Sequence, residues 1–442
     1  MTLDTWLDPN RTVPDLRTKL PGPLGTKLLE EDLSITSPSL PRAYPMVPVR
    51  GSGAAVEDID GNLFLDFNAG IAVNSTGHAH PAVVQAVRDQ AENLLHYSAS
   101  DFYLPIYSQM CRRLARTAPM SGPTRVFLTN SGAEAVEGAM KLVRHATGRH
   151  GIISFFGGFH GRSYGAVTLT ASKSKYHKGF GPLVPGVYHA PYADAARDNP
   201  AEGLWHTIEH LENVLFRHQV DPSEIAAVFV EPIQGEGGYI VPPPGWMTAL
   251  ADLCRSHGIL LVADEVQSGA GRTGRMWAIE HTGVEPDILL SAKGLASGLP
   301  LGAFMARADI MESWGTGAHG STYGGSPIPC AAGIATLDVI ESEKLLDNAT
   351  ARGEQITTGL SGIATRSGSI TDVRGVGLMI GVEFTDGDTA AKVQEACFRR
   401  GLLVLEAGEN VIRMSPPLVI DAAQVDAALE LFEAAVIEVE HV

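Results

Sequence analysis

Between residues 126 and 306 the chain carries a series of short, unbroken apolar runs, at 126–129, 152–156, 226–230, 259–263, 288–291 and 301–306. Each is too short for a globular helix, and none alternates polar with apolar as a strand with one wet face would. Runs of this kind predict strands covered on both faces. Helical periodicity fills the intervals at 132–145, around 205–218 and at 246–257, and another helical pattern precedes the series at 81–96. Strand–helix–strand repetition calls for right-handed crossovers, so the predicted class is α/β with a mainly parallel sheet.

The flanks read differently. Pro14, Pro21, Pro23, Pro38, Pro41 and Pro45 break the first ~45 residues into an arm with one short helix. Residues 54–67 predict a β-hairpin turning at Asp60-Gly61-Asn62. After a linking helix near 330–343, the runs 378–384, 402–405 and 411–414 predict a small sheet. Asp421 is placed to cap a last helix running to about residue 440. At 442 residues the chain has the length of two domains. The expected division is an N-terminal arm with part of a small domain at 1–75, a large domain at 76–327, and a linking helix with the C-terminal small domain at 328–442.

A formal charge of −17 argues against nucleic acid as a partner. Residues 1–10 hold acids and no base, unlike a secretory leader, and no apolar run approaches the ~18 residues of a membrane span. The four cysteines are dispersed, without a C-x-x-C pair, which fits reduced thiols, a cytoplasmic protein and no structural metal.

In open α/β sheets ligands sit beyond the carboxyl ends of the strands, so the polar residues after each run are the candidates. Ser131-Gly132-Ala133 opens a helix after a strand, which makes either an anion site or a plain N-cap. Asp264 ends a buried run and needs a partner, either a protonated ring nitrogen or a helix terminus or arginine. Lys293 follows 288–291 beside apolar residues. Most lysines are solvated surface charges, but partial desolvation here would lower its pKa and suit Schiff-base chemistry. Phe159, His160, Glu231, Val266 and Gln267 stand at other strand ends. Two features are weaker. Gly269 to Gly274 spells G-x-G-x-x-G, yet no acid stands ~20 residues on to hold a ribose. His78 and His80 lack further metal ligands at a usable spacing.

In order and spacing, SGAEA (Ser131 to Ala135), FHGR (Phe159 to Arg162), EPIQGEGG (Glu231 to Gly238), DEVQSGAGRTG (Asp264 to Gly274), Lys293 and STYGGSP (Ser321 to Pro327) resemble the class III aminotransferases. These are fold-type-I pyridoxal-phosphate enzymes that include the 4-aminobutyrate, ornithine and acetylornithine aminotransferases. The resemblance runs from about Pro21 to the last helix and implies a small α+β domain built from both termini. By the same resemblance, Lys293 carries pyridoxal 5'-phosphate as a Schiff base and Asp264 keeps the ring nitrogen protonated. Gln267 would bond the ring's 3-hydroxyl, with Glu231 orienting it, while Phe159 and Val266 flank the ring. Gly132 and Ala133 would bond the phosphate, and Thr322 would reach the phosphate of a neighbouring subunit. The resemblance therefore implies a homodimer, extendable to a dimer of dimers. Arg413 matches the arginine for the substrate α-carboxylate, Glu236 the acid that masks it, and Arg162 the grip on the carboxylate of 4-aminobutyrate; Tyr44 would border the pocket.

The implied reaction moves an amino group from an amino acid, with an ω-amino donor such as 4-aminobutyrate or ornithine, to a keto acid such as 2-oxoglutarate. Ser163 and Ser326 depart from the commoner threonine and asparagine of the family. GYIVPP (Gly238 to Pro243) and GRTGRMWAIEH (Gly271 to His281) resemble a subgroup that also holds amino-acid racemases and epimerases, so racemisation is the alternative reaction. A relative that binds the cofactor without turnover is a third reading.

Overall fold

The computed structural model describes residues 11–193, 198–203 and 205–441. The acid-only segment 1–10 thus lies outside the described residues. The six apolar runs and a further strand, Val187–Ala190, assemble into a seven-stranded sheet in the spatial order Thr124–Thr129, Gly302–Arg307, Ile288–Ser291, Leu260–Asp264, Ile225–Val230, Gly151–Phe155, Val187–Ala190. Neighbours from Ile288–Ser291 through to Val187–Ala190 pair in parallel; Gly302–Arg307 alone runs against both of its neighbours.

Alternate residues along these unbroken runs serve two separate cores. Val228, Val230, Leu261 and Leu289 pack with the helix Trp246–His257 through Trp246, Leu250 and Leu253. Phe229, Val262, Ile288 and Leu290 pack with the helix Gly132–Thr147 through Val136, Ala139 and Val143. That is why the sequence shows no alternation: both faces are dry. Gly138 sets how closely the second helix approaches, since a Cβ there would stand 2.4 Å from Phe304 Cε1.

The expected hairpin is present as Ala55–Asp58 paired with Leu63–Asp66. Asp58 accepts from the backbone N–H of Asp60 and Asn62 within the turn. Asp60 in turn reaches back to the N-terminal arm, where its carboxylate accepts from Leu24 and Gly25 N–H at 2.9 and 2.7 Å and so caps the helix Pro23–Ile35. The last helix is Ala422–Glu440, capped by Asp421 and Gln424 as a reciprocal pair.

The single run expected at 402–405 is instead divided between two sheets. Leu402–Leu403 joins the hairpin in parallel with Leu63–Asp66, while Leu405–Ala407 pairs with Val411–Met414. The side chains explain the break: Leu402 and Val404 enter the small-domain core, whereas Leu403 covers Phe64 and Phe398. The small-domain core draws on Ala54, Leu65 and Phe67 from one end of the chain and on Ile380, Phe384, Ile412 and Phe432 from the other. The predicted helix around 205–218 carries a π turn at Leu211–Leu215. Among the described residues no helix is long and apolar enough to cross a membrane.

A Gly138→Val substitution should force the helix Gly132–Thr147 off the sheet. We expect a loss of about 1–3 kcal/mol of stability by overpacking, read as a lowered denaturation midpoint; an unchanged midpoint would contradict the close approach.

Candidate active site

The strand order brings the polar residues after neighbouring runs to one edge. Asp264 is the last residue of its strand, and Lys293 follows the adjacent strand Ile288–Ser291. Both line a cavity of about 350 Å³, together with Ser131, Gly132, Ala133, Phe159, His160, Glu231, Val266 and Gln267.

One wall is the start of the helix Gly132–Thr147. Ser131 has extended backbone and its hydroxyl accepts from Glu134 N–H at 3.2 Å, so the capping role holds. The free N–H groups of this first turn and the helix dipole favour an anion here. Gly132 lies flush against Val266: a Cβ on Gly132 would stand 2.8 Å from Val266 Cγ1.

At the floor, Asp264 finds a partner that the sequence reading had not offered it. Its Oδ2 lies 2.7 Å from His160 Nδ1, and its Oδ1 accepts from Val266 N–H at 3.0 Å. Both side chains of the pair are buried. Burial alone would pull the imidazole pKa down, but the hydrogen bond and charge of Asp264, with the charge of Glu231, raise it above the ordinary value. The two bonds hold the Asp264 carboxyl group in one orientation at the cavity wall.

Glu231 does not orient Gln267. Its two oxygens accept from Phe159 N–H at 3.0 Å and Gly235 N–H at 3.1 Å, which leaves them engaged with backbone. Burial pushes its carboxyl up to about 7. Gln267 is fixed by Tyr239, whose hydroxyl donates to Gln267 Oε1 at 3.0 Å. In the sequence Tyr239 stands out only as part of GYIVPP (Gly238 to Pro243), where nothing gives it a role at the site.

Lys293 adopts a left-handed backbone, φ +43°, which turns its side chain into the cavity from the strand end. Burial, followed by the charge of Arg413, lowers its amine to about 8, against the opposing pull of Glu231 and Asp264. Arg413 comes from the small domain, on the buried strand Val411–Met414, and its Nη1 lies 3.3 Å from Glu236 Oε2.

Other expected residues fall outside this cavity. Arg162 lies over the Tyr176 ring, 3.9 Å from its centroid, in a neighbouring cavity of about 520 Å³ that Ser39, Leu40 and Phe180 also line. Thr322 is exposed and does not line the cavity of its own chain. Tyr44 does not border the pocket. Its ring stacks on Phe398 with centroids 4.7 Å apart and its hydroxyl donates to the Val404 carbonyl, because an apolar gap beside Phe64 and Leu403 takes the ring. His78 bonds Asp66 at 2.7 Å and His80 caps a helix, both structural duties. Among the described residues no cluster of metal-ligating side chains occurs. Gly269 to Gly274 opens no α-helix, and Arg272 within it is buried against the carbonyls of Leu378 and Pro416.

A helix N-terminus for a phosphate, a fixed carboxylate for a ring nitrogen, an amide beside a hydroxyl and a desolvated amine fit a phosphorylated pyridine aldehyde. The sequence profile of the aminotransferase class-III family matches residues 38–436. The chain belongs to the class-III aminotransferases. It is 41% identical over 407 residues to an acetylornithine aminotransferase from Synechocystis, spanning 89% of this chain and 90% of that one. It is 38% identical over 440 residues to an alanine/serine racemase from Pyrococcus horikoshii, spanning 96% and 92%. An ornithine aminotransferase from Toxoplasma gondii, solved with partially occupied PLP at its active site, superposes with a TM-score of 0.84 at 34% identity, covering 94% of this chain and 95% of its own. As a class-III aminotransferase this enzyme depends on pyridoxal phosphate, and Gly132, Ala133, Asp264, Gln267 and Lys293 are the residues whose chemistry suits it.

The lowered amine gives a pH test. In the cofactor-free protein, the rate at which Lys293 is trapped by added pyridoxal phosphate and borohydride should rise with pH through a midpoint near 8. A midpoint near the free-lysine value of about 10.4 would contradict the desolvated setting.

Proposed function

We propose that this aminotransferase takes the amino group of an ω-amino acid, such as 4-aminobutyrate or ornithine, and passes it to a keto acid such as 2-oxoglutarate, working as a homodimer. The observation that carries this reading is the ion pair of Arg413 with Glu236 beside the Lys293 cavity. A donor that reacts at its far amine has no carboxylate next to the reacting carbon, so Glu236 can stay on Arg413. A keto acid has its carboxylate there, and Arg413 must be unmasked to grip it in a bidentate fork. One acid–base pair thus serves both partners of a ping-pong cycle. The names of the Synechocystis and Toxoplasma relatives support the reading, since ornithine and acetylornithine carry terminal groups far from the α-carbon.

Bound pyridoxal phosphate supplies an electron sink that lets the amine-bearing carbon give up a proton. Lys293 Nζ is the base that takes this proton and the acid that returns it on the same face. Asp264, fixed by His160, holds the proton on the ring nitrogen through a charge-assisted bond worth about 1.5–3 kcal/mol. Gln267, steadied by Tyr239, bonds the ring's hydroxyl oxygen. Phe159 and Val266 confine the ring, and the amides of Gly132 and Ala133 hold the phosphate with Ser131 at the cap. Arg162 holds the far carboxylate of the donor. The exposure of Thr322 fits a role at the phosphate of a neighbouring subunit.

A second reading, racemisation, is favoured by the 38% identity to the archaeal alanine/serine racemase. It needs an acid on the face of the carbon opposite Lys293. Incubating the holoenzyme with L-alanine and no keto acid separates the readings: continuous formation of D-alanine supports racemisation, and a single stoichiometric conversion of the cofactor supports transfer.

A Lys293→Ala variant should lose the visible absorbance of the bound cofactor and at least about a hundredfold to ten-thousandfold of the transfer rate. Retention of both the band and normal turnover would refute the assignment.

A further inference from the structure

Glu236 does not answer to Arg413 alone. Its Oε2 faces Arg413 Nη1 at 3.3 Å, while Oε1 lies 3.5 Å from Lys173 Nζ and accepts from the Tyr176 hydroxyl at 3.3 Å. The two cations differ in setting: the Arg413 side chain is 7% exposed and that of Lys173 is 31% exposed. The contact to Arg413 is single and long for a charge-assisted bond. Arg413 Nε is buried and has no hydrogen-bond partner among the described residues, so the guanidinium keeps a donor that Glu236 does not use.

A carboxylate leaving a part-buried arginine is strongly disfavoured unless another partner receives it. Here the receiving groups already touch it. Lys173 and Tyr176 sit on and beside the short turn Ser174–Tyr176, on a different element from the strand that carries Arg413. A small rotation about the Glu236 side chain would trade one cation for the other without exposing an unpaired charge. Tyr176 also bears the Arg162 guanidinium on its ring, which joins this station to the second substrate arginine.

We propose that Lys173, with Tyr176, is a second docking station for Glu236, taken when a substrate α-carboxylate claims Arg413. Lys173 is then a positioning residue that sets how readily the enzyme accepts α-carboxylate substrates relative to ω-amino donors. The proposal rests on the masking role of Glu236 given under the proposed function.

The test uses holoenzyme of Lys173→Gln, Lys173→Arg and Glu236→Gln, and follows the half-reactions with L-glutamate and with 4-aminobutyrate by the cofactor's visible absorbance. With Lys173→Gln, Glu236 keeps Arg413 as its one cationic partner and Tyr176 as a neutral donor. The KM for glutamate should rise relative to that for 4-aminobutyrate by roughly three- to tenfold, with a smaller change in kcat, as expected for loss of a part-exposed ion pair. Lys173→Arg should restore the ratio, and Glu236→Gln should shift it toward glutamate. If Glu236→Gln shifts the ratio but Lys173→Gln does not, or moves both substrates equally, the second station is overturned while the masking role stands. If Glu236→Gln leaves the ratio unmoved, or the wild-type holoenzyme is inert toward both donors, the masking role fails and the second station falls with it.

Discussion

The buried pair of Asp264 and His160 is the constraint on which the rest of the site depends. A carboxylate at the end of a dry strand cannot stand alone, because its desolvation would otherwise protonate it. His160 supplies the compensating proton donor at 2.7 Å, and the amide of Val266 fixes the other oxygen. The result is an acidic group held in one orientation by a bond to each oxygen. A cofactor whose usefulness comes from a protonated ring needs that kind of partner. The FHGR segment and the DEVQ segment are therefore coupled by physics as well as by their order in the chain.

Around this pair the sheet does the positioning. Neighbouring parallel strands end at the same level, so the acid, the amine and the helix start reach a common cavity from separate parts of the chain. The small domain closes the arrangement with one strand, Val411–Met414, which carries Arg413 toward the large sheet's edge. Lys293 feels Arg413 electrostatically, so the depressed amine is a property of both domains together.

Much of this was legible from the sequence, and the exceptions have physical reasons. Unbroken apolar runs flagged every central strand of the large sheet, since being buried on both faces leaves a plain compositional trace. The edge strand Val187–Ala190 is only partly buried and left none. The helix Leu345–Ala364 escaped notice because Gly353, Gly359 and Gly362 interrupt its pattern. Gly353 is required by packing, as a Cβ there would meet the Gly377 carbonyl oxygen at 2.2 Å. Site residues on strand ends were visible by position. Partners that act sideways were not: His160 was seen but not matched to Asp264, and Tyr239, Lys173 and Tyr176 lie in loops whose periodicity says nothing. Tyr44 differs from the expectation because an aromatic ring near a pocket and one that plugs a gap between the N-terminal arm and Phe398 look alike in sequence.

The parallel pairing of Leu402–Leu403 with Leu63–Asp66 carries a consequence for biosynthesis. The hairpin strand is made roughly 340 residues before the segment that covers its open edge. At roughly 5–20 residues per second the wait is on the order of tens of seconds. During that time the strand presents unpaired N–H and C=O groups next to Phe64 and Leu65, the kind of edge that pairs with a stranger. The nascent chain of this enzyme should therefore need that edge shielded until Leu402–Leu403 is made.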